Sequence, residues 1–261
     1  MNKALDKFVP TYECDPAGVS LILGDCLEVL AAMEDGSVDH VFTDPPYEAH
    51  MHNAKKGARG RRIRNDGHVS PKPLDFESIE GVRESVAREI VRICSGWALV
   101  FCTPEGVAPW RDALEEAGAK YKRACVWVKP DSAPQFNGQC PAMGAEMFVA
   151  AWCGKGHSRW NGGGRRNVFV HHCRSPHRDG RHPTEKPLGL MAELTALFSN
   201  PGDLICDPFM GSGSTGLAAR GAGRRFLGVE ISPDYFEVAR DRMTRPDLWV
   251  SAPPQIQEVL F

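Results

Sequence analysis

Short apolar runs alternate with amphipathic stretches along most of this chain. VSLIL (19–23), VDHVFT (38–43, with Val38, Val41 and Phe42 as its apolar content), WALVFC (97–102), YKRACVWVK (121–129), EMFVAAWC (146–153), LICD (204–207) and RRFLGVE (224–230) read as strands, with Trp97 and Trp127 as core residues. CLEVLAAM (26–33) reads as a short helix. FESIEGVRESVAREIVRI (76–93) carries apolar residues at Ile79, Val82, Val86, Ile90 and Ile93, which is helical spacing. GVAPWRDALEEAG (106–118) predicts a helix ended by glycine, PLGLMAELTALFS (187–199) one with Pro187 in its first turn, and SPDYFEVARDRM (232–243) one capped by Ser232. No internal repeat is present. Strands and helices in alternation predict an α/β domain with a largely parallel sheet covered by helices on both faces. Two polar stretches rich in Gly and Arg, 48–74 and 154–186, are longer than a compact domain normally tolerates without a function for them.

Composition changes this picture little. The 261 residues are 42% apolar and 25% charged, as in ordinary globular proteins, and no apolar run is long enough to span a membrane. The start, MNKALDKFVPTYECD, lacks the apolar core of a signal peptide. Nine cysteines without any CxxC spacing are expected to be reduced thiols, as in a cytoplasm. The net charge of −2 announces no polyanionic partner, but the distribution does. KKGARGRRIR (55–64) concentrates Lys55, Lys56, Arg59, Arg61, Arg62 and Arg64, and a second basic stretch runs from Arg159 to Arg181 around Trp160 and a glycine triplet.

Two local sequences carry candidate chemistry. In DPFMGSGSTG (207–216), Gly211, Gly213 and Gly216 form a G-x-G-x-x-G that follows a strand, opens a helix and precedes a second strand ending in Glu230. That context makes the pattern a nucleotide-site candidate, with Glu230 placed to hold ribose hydroxyls. The alternative is that the glycines only permit tight helix–sheet packing. In a dinucleotide site the glycines follow the strand directly; here Asp207, Pro208 and Phe209 intervene. An acid at that place repels a pyrophosphate and suits a cationic group such as the amino end of S-adenosylmethionine, which is favoured over NAD.

DPPY (44–47) ends the strand VDHVFT. Two consecutive prolines forbid helix continuation and ladder bonding, so Asp44 and Tyr47 are held in a stiff extended turn at a strand end. With a methyl donor nearby the arrangement has a use. Exocyclic amino nitrogens of adenine and cytosine are poor nucleophiles because their lone pair is delocalised. The Asp44 carboxylate and the Pro45 carbonyl, accepting both N–H groups, would push such a nitrogen toward tetrahedral geometry and stabilise its growing charge. Pro46 stiffens the turn, and Tyr47 would stack on a base taken out of the duplex.

Together these residues resemble the amino-methylating DNA methyltransferases, which make N6-methyladenine or N4-methylcytosine. DPPY (44–47) is similar to their catalytic motif and DPFMGSGST (207–215) to their methionine-binding loop, with Phe209, Gly211, Ser212 and Gly213. RHPTEKP (181–187) resembles the segment before that loop, where Thr184 and Lys186 would help hold the cofactor's methionine end. GVEISPDYFEVA (228–239) resembles the ribose-binding strand and helix, and GDCLEVL (24–30) the segment whose acid, Asp25, lies near the adenine. The catalytic motif precedes the glycine loop, which resembles the circularly permuted beta class.

The resemblance implies a single Rossmann-like S-adenosylmethionine-dependent methyltransferase domain over residues 1–261, with a seven-stranded, mostly parallel sheet containing one antiparallel strand. Asp25, Asp44, Asp207 and Glu230 would line one edge. It implies N6-adenine methylation of double-stranded DNA by base flipping, with N4-cytosine methylation as the alternative, since members of that type more often carry serine in place of Asp44. A DNA-binding relative without turnover and an NAD oxidoreductase are the readings from other classes. Loops at about 48–74 and 154–181 would face DNA, with the cations of KKGARGRRIR and Arg165, Arg166 and Arg174 on phosphates or guanines; a solvated loop is the plainer reading of the first. A homodimer is also implied. His171, His172, Cys173 and His177, with Cys153 nearby, match no common zinc spacing, so no metal is expected. Glu146, opening a strand, reads as structural and near the cofactor pocket.

Overall fold

The computed structural model describes residues 11–14, 18–46, 79–134, 139–173 and 185–245. The strands are β1 (Thr11–Cys14), β2 (Val19–Leu23), β3 (His40–Thr43), β4 (Trp97–Cys102), β5 (Lys120–Val128), β6 (Ala145–Trp152), β7 (Val168–Val170), β8 (Leu204–Asp207) and β9 (Arg225–Glu230). The helices are α1 (Cys26–Ala31), α2 (Arg83–Ile93), α3 (Val107–Glu116), α4 (Leu188–Phe198), α5 (Ser214–Gly221) and α6 (Pro233–Met243).

All nine strands form one sheet in the order β1-β2-β9-β8-β3-β4-β6-β5-β7. The seven strands expected from the apolar runs are all present, and among them β6 alone runs antiparallel to its neighbours. The sheet is extended at each edge by a short strand, β1 antiparallel to β2 and β7 parallel to β5. Alternation along the strands divides the core in two. Phe42, Leu99, Phe101 and Phe148 pack with α4, α5 and α6 on one face. Val41, Ala98, Val100 and Val149 pack with α1, α2 and α3 on the other.

Helix boundaries follow the local chemistry. The Ser232 side chain accepts from the Tyr235 N–H and caps α6. Gly118, with φ of 103°, follows the end of α3. Pro187 is the N-cap of α4 rather than part of its first turn. The expected helix over 76–93 is shorter: Ile79–Gly81 is a 3-10 turn, and α2 begins only after Val82. Val82, counted on the apolar face, is 40% exposed.

The strand order sets the site. Two strands from the C-terminal part, β8 and β9, are inserted between β2 and β3, so β3 and β8 are parallel neighbours. From β3 the chain crosses to β4, and from β8 it crosses to β9 on the other side. The crevice at the carboxyl ends of β3 and β8 is therefore a topological switch point, where open α/β sheets bind ligands.

Candidate active site

Asp44 and Asp207 leave the two strands that flank this crevice. All four residues of β3 are buried, and Pro45 is buried behind Asp44. Thr43 ties the two strand ends together: its hydroxyl donates to Asp207 Oδ1 at 2.9 Å. Asp207 Oδ2 accepts from Thr215 Oγ1 at 2.7 Å, and Oδ1 also accepts from the Phe209 N–H at 3.1 Å. Asp207, only 3% exposed, thus clamps the glycine loop to β3. The expectation that it faces a cationic ligand directly is modified accordingly, because the hydroxyls and N–H of its own fold engage both oxygens.

The loop turns through left-handed glycines, Gly211 at φ 52° and Gly213 at φ 78°. A Cβ on Gly216 would lie 2.5 Å from Met243 Cε and 2.6 Å from Phe226 Cδ1. The third glycine of the pattern therefore serves helix–sheet packing, and the first two serve the turn. Arg242, fully buried on α6, donates from Nη1 to the Ser212 carbonyl at 2.7 Å and pairs through Nη2 with Glu185 at 2.5 Å. Glu230 accepts from the Gly211 N–H and the Ser232 N–H, both at 2.9 Å. These two bonds aim the carboxylate along the loop and leave further lone pairs for hydroxyl donors. Asp25 caps α1 through Leu27 N and Glu28 N, and the Gly24 N–H donates to the Glu230 carbonyl at 3.0 Å. Asp25 and Glu230 thus share the sheet edge with Asp44 and Asp207.

Beside the crevice runs a row of alternating charges. Asp44 Oδ2 accepts from Lys186 Nζ at 2.5 Å, and the same ammonium lies 3.3 Å from Glu146 Oε2. Glu146 Oε1 pairs with Lys129. The second Asp44 oxygen, Oδ1, is buried and has no hydrogen-bond partner among the described residues. Such an acceptor is costly unless a ligand supplies a donor.

Burial raises the carboxyl of Asp44 above its ordinary range, with Lys186 opposing and Glu146 adding to the effect. Burial likewise raises Glu230 against its two backbone donors, and lifts Asp207 to about 7 against Thr215, Thr43 and Phe209. Burial acts to raise Glu146 also, but Lys186 and Lys129 outweigh it and hold it below its ordinary value. Burial thus raises the proton affinity of three carboxyl groups at one sheet edge, Asp44, Asp207 and Glu230. Asp207 also predicts a pH effect. Its folded pKa lies above the unfolded one, so its contribution to stability is full below about pH 4 and declines as pH rises toward 7. Asp207→Asn is expected to lessen the decline in stability from pH 4 to 7 by up to about 4 kcal/mol. Urea unfolding of both proteins across that range checks it, and identical pH slopes would refute it.

Other expected residues fall differently. Tyr47, Thr184, Lys55, Lys56, Arg59, Arg61, Arg62, Arg64 and Arg174 lie outside the described residues. Of the stretch 154–181, expected to face DNA, residues 154–167 lie away from the β3–β8 crevice. Because β6 is antiparallel, Trp152 pairs with Trp97 at the start of β4, so the chain leaves β6 at the opposite end of the sheet. There Asn161 donates from Nδ2 to the Ala196 and Ser199 carbonyls, and Trp160 packs edge-on to Phe198 at 4.7 Å. Arg165 pairs with Glu193 of α4 at 2.5 Å, and Glu193 also meets His171 at 2.6 Å. A guanidinium engaged in this way braces β7 against α4. Arg166 is exposed on the same stretch. The chain regains the Asp44 end only through β7, so Cys153 and Cys173 lie at opposite ends of the sheet and cannot share a metal ion. Sequence reading missed Thr43, Thr215, Lys129, Glu185 and Arg242, and it left Glu146 without a specific partner. Thr43 beside DPPY, Thr215 within DPFMGSGST and Glu185 within RHPTEKP offered a signal; Lys129 and Arg242 offered none.

A family model described as DNA methylase, covering N6 and N4 amino methylation, matches residues 38–241. The chain is 26% identical to type II methyltransferase M2.MboI of Moraxella bovis, over 89% of this chain and 90% of that protein. It is 26% identical to M2.DpnII of Streptococcus pneumoniae, over 85% and 88%. Among solved structures it is similar in fold to M1.HpyAVI in complex with S-adenosylmethionine, with TM-score 0.64, 24% identity, and coverage of 87% of this chain and 100% of that one. It is similar in fold also to the cytosine-N4-specific PvuII DNA methyltransferase, with TM-score 0.66, 17% identity, and coverage of 92% and 91%.

Proposed function

The chain belongs to the amino-methylating DNA methylase family, whose members use S-adenosylmethionine, and from that premise we propose that it methylates the N6 amino group of adenine in double-stranded DNA. The observation that carries the reading is Asp44 at the end of β3. One oxygen is anchored by Lys186, and the other is buried and unclaimed beside the glycine loop. Glu230 would hold the ribose, the Gly211–Gly213 turn would admit the methionine portion, and Asp25 would lie toward the adenine. When bound, the cofactor would supply an electrophilic methyl group; its bonding pair would stay on the cofactor's sulfur, and the proton lost by the amino nitrogen would leave to solvent.

Asp44 Oδ1 accepts one N–H of the target amine, and the Pro45 carbonyl accepts the other. Accepting both localises the nitrogen lone pair and stabilises the positive charge it gains. The strand end and two prolines fix these acceptors beforehand, so little reorganisation accompanies the reaction. Tyr47 would stack on the extruded base, and the cations of KKGARGRRIR would neutralise phosphates, making binding salt-dependent. Aspartate rather than serine at position 44 favours adenine over cytosine N4. A homodimer belongs to the same reading and is checked by light scattering.

The test is to incubate the protein with unmethylated duplex DNA and S-adenosylmethionine, digest to nucleosides and identify the product by mass spectrometry. N6-methyldeoxyadenosine is expected; N4-methyldeoxycytidine, or no methylated base, overturns the adenine assignment. Glu230→Ala is expected to raise the dissociation constant for S-adenosylmethionine about 10- to 100-fold, the worth of a charge-assisted hydrogen bond. Calorimetry checks this, and an unchanged constant would remove Glu230 from the cofactor site.

A further inference from the structure

We propose that Glu146 and Lys129 are positioning residues for Asp44, forming a counter-charge pair that lets the catalytic carboxylate yield its negative charge to the target amine without stranding the buried ammonium of Lys186. The proposal rests on the methyltransferase reading above. Lys186 has a side chain only 7% exposed, and two carboxylates stand against it, Asp44 at 2.5 Å and Glu146 at 3.3 Å. A buried ammonium with a single carboxylate partner becomes an uncompensated charge once that partner is neutralised. As Asp44 Oδ1 takes the hydrogen of an increasingly cationic amine, its charge is drawn toward the substrate and away from Lys186. Glu146 remains as the counter-ion.

Lys129 completes the row. Its ammonium pairs with Glu146, so the carboxylate is itself compensated while Lys186 still faces Asp44. Aromatic faces fix both cations in place: Lys129 Nζ lies 4.5 Å from the Trp127 ring centroid, and Lys186 Nζ lies 5.0 Å from that of Phe101. The row alternates in sign and sums to zero, which suits a site from which water is largely excluded. Lys129 directly follows β5 and Glu146 is the second residue of β6, adjacent antiparallel strands of which the end of one and the start of the other meet at the catalytic edge.

Among the described residues, the charged groups that bear on Asp44 are Lys186 from the segment before α4, Glu146 from β6, Lys129 just after β5 and Asp207 from the end of β8. Glu146 raises the proton affinity of Asp44, and Lys129 lowers it. The two single variants must therefore act in opposite directions. Glu146→Gln is expected to move the acidic limb of the pH–rate profile to lower pH and to reduce kcat about tenfold, with KM for S-adenosylmethionine changed less than about threefold. Lys129→Met is expected to move the limb to higher pH. The charge-neutral double variant should return it close to the parent position.

The experiment is single-turnover methylation of duplex DNA across pH for the parent and three variants, with the Asp44 carboxyl followed by carbon NMR in the same proteins. Opposite displacements of limb and NMR midpoint support the proposal. Unmoved limbs, or displacements in one direction accompanied only by a lower melting temperature, overturn it, leaving a structural ion pair. Opposite NMR midpoints in a parent protein that methylates no DNA support the charge coupling while overturning the methyltransferase reading. Should Glu146→Gln not fold, the upward displacement in Lys129→Met alone decides.

Discussion

Asp44→Ala is expected to lower methyl transfer by on the order of 10³-fold while leaving the dissociation constant for S-adenosylmethionine within a few-fold. The loss follows from geometry. Asp44 Oδ1 is the buried acceptor without a partner at the end of β3, and no other described carboxylate stands in its place. Glu146 turns toward Lys186 and Lys129, and Asp207 is engaged by Thr43, Thr215 and Phe209. Without Asp44 the amine's lone pair stays delocalised into the ring. Cofactor binding survives because Glu230 and the glycine turn stand on β9 and on the loop after β8. The fold survives because Glu146 still compensates Lys186. Rate measurements with saturating DNA, together with calorimetry, check both halves. Turnover within tenfold of the parent would remove Asp44 from the chemistry.

Arg242→Ala is expected to destabilise the protein by about 3–5 kcal/mol, the usual cost of removing one member of a buried ion pair. Arg242 is fully buried, and its partner Glu185 has a side chain only 4% exposed. The guanidinium joins three parts of the site: α6, which carries it; the glycine loop, through the Ser212 carbonyl; and the segment before α4, through Glu185. Removing it leaves a buried carboxylate without its cation and releases the turn at Ser212, so cofactor affinity should fall along with stability. Replacing both partners by apolar residues, as in Arg242→Met with Glu185→Leu, should recover most of the stability without recovering the loop. Denaturant unfolding checks this; a loss below 1 kcal/mol for the alanine variant would show that the pair contributes little.

Much of the fold was legible because strand and turn chemistry are local. Seven apolar runs gave the seven central strands, DPPY gave a rigid strand end, and the glycine spacing gave a left-handed turn between strand and helix beside Glu230. The two edge strands were missed for a local reason also: TYEC and VFV are too short for a period to show, and Val168 and Val170 of β7 are exposed at 44% and 45%. The start of α2 was misjudged because Ile79 is buried in a 3-10 turn, where burial follows the turn's packing rather than a helical period.

For the second basic stretch, topology rather than composition sets where its first part lies. Its Arg and Gly content is that of a binding loop, but the reversal of β6 carries residues 154–167 to the far end of the sheet, where Asn161 and Trp160 fasten them to α4. Nothing in composition distinguishes an arginine facing phosphate from one facing Glu193.

The order of apolar and polar residues thus fixed the element types, the layered α/β class and the residues at two strand ends, since periodicity and proline or glycine chemistry act within a few residues. The row Asp44–Lys186–Glu146–Lys129, the Thr43–Asp207 clamp and the Arg242–Glu185 pair arise from the strand order, which sets β8 beside β3 and brings the end of β5 and the start of β6 to the same edge of the sheet. Lys186 and Asp44 are 142 positions apart. Charge pairing over such a distance leaves no period in the chain, because it depends on which strand ends the packed sheet brings together.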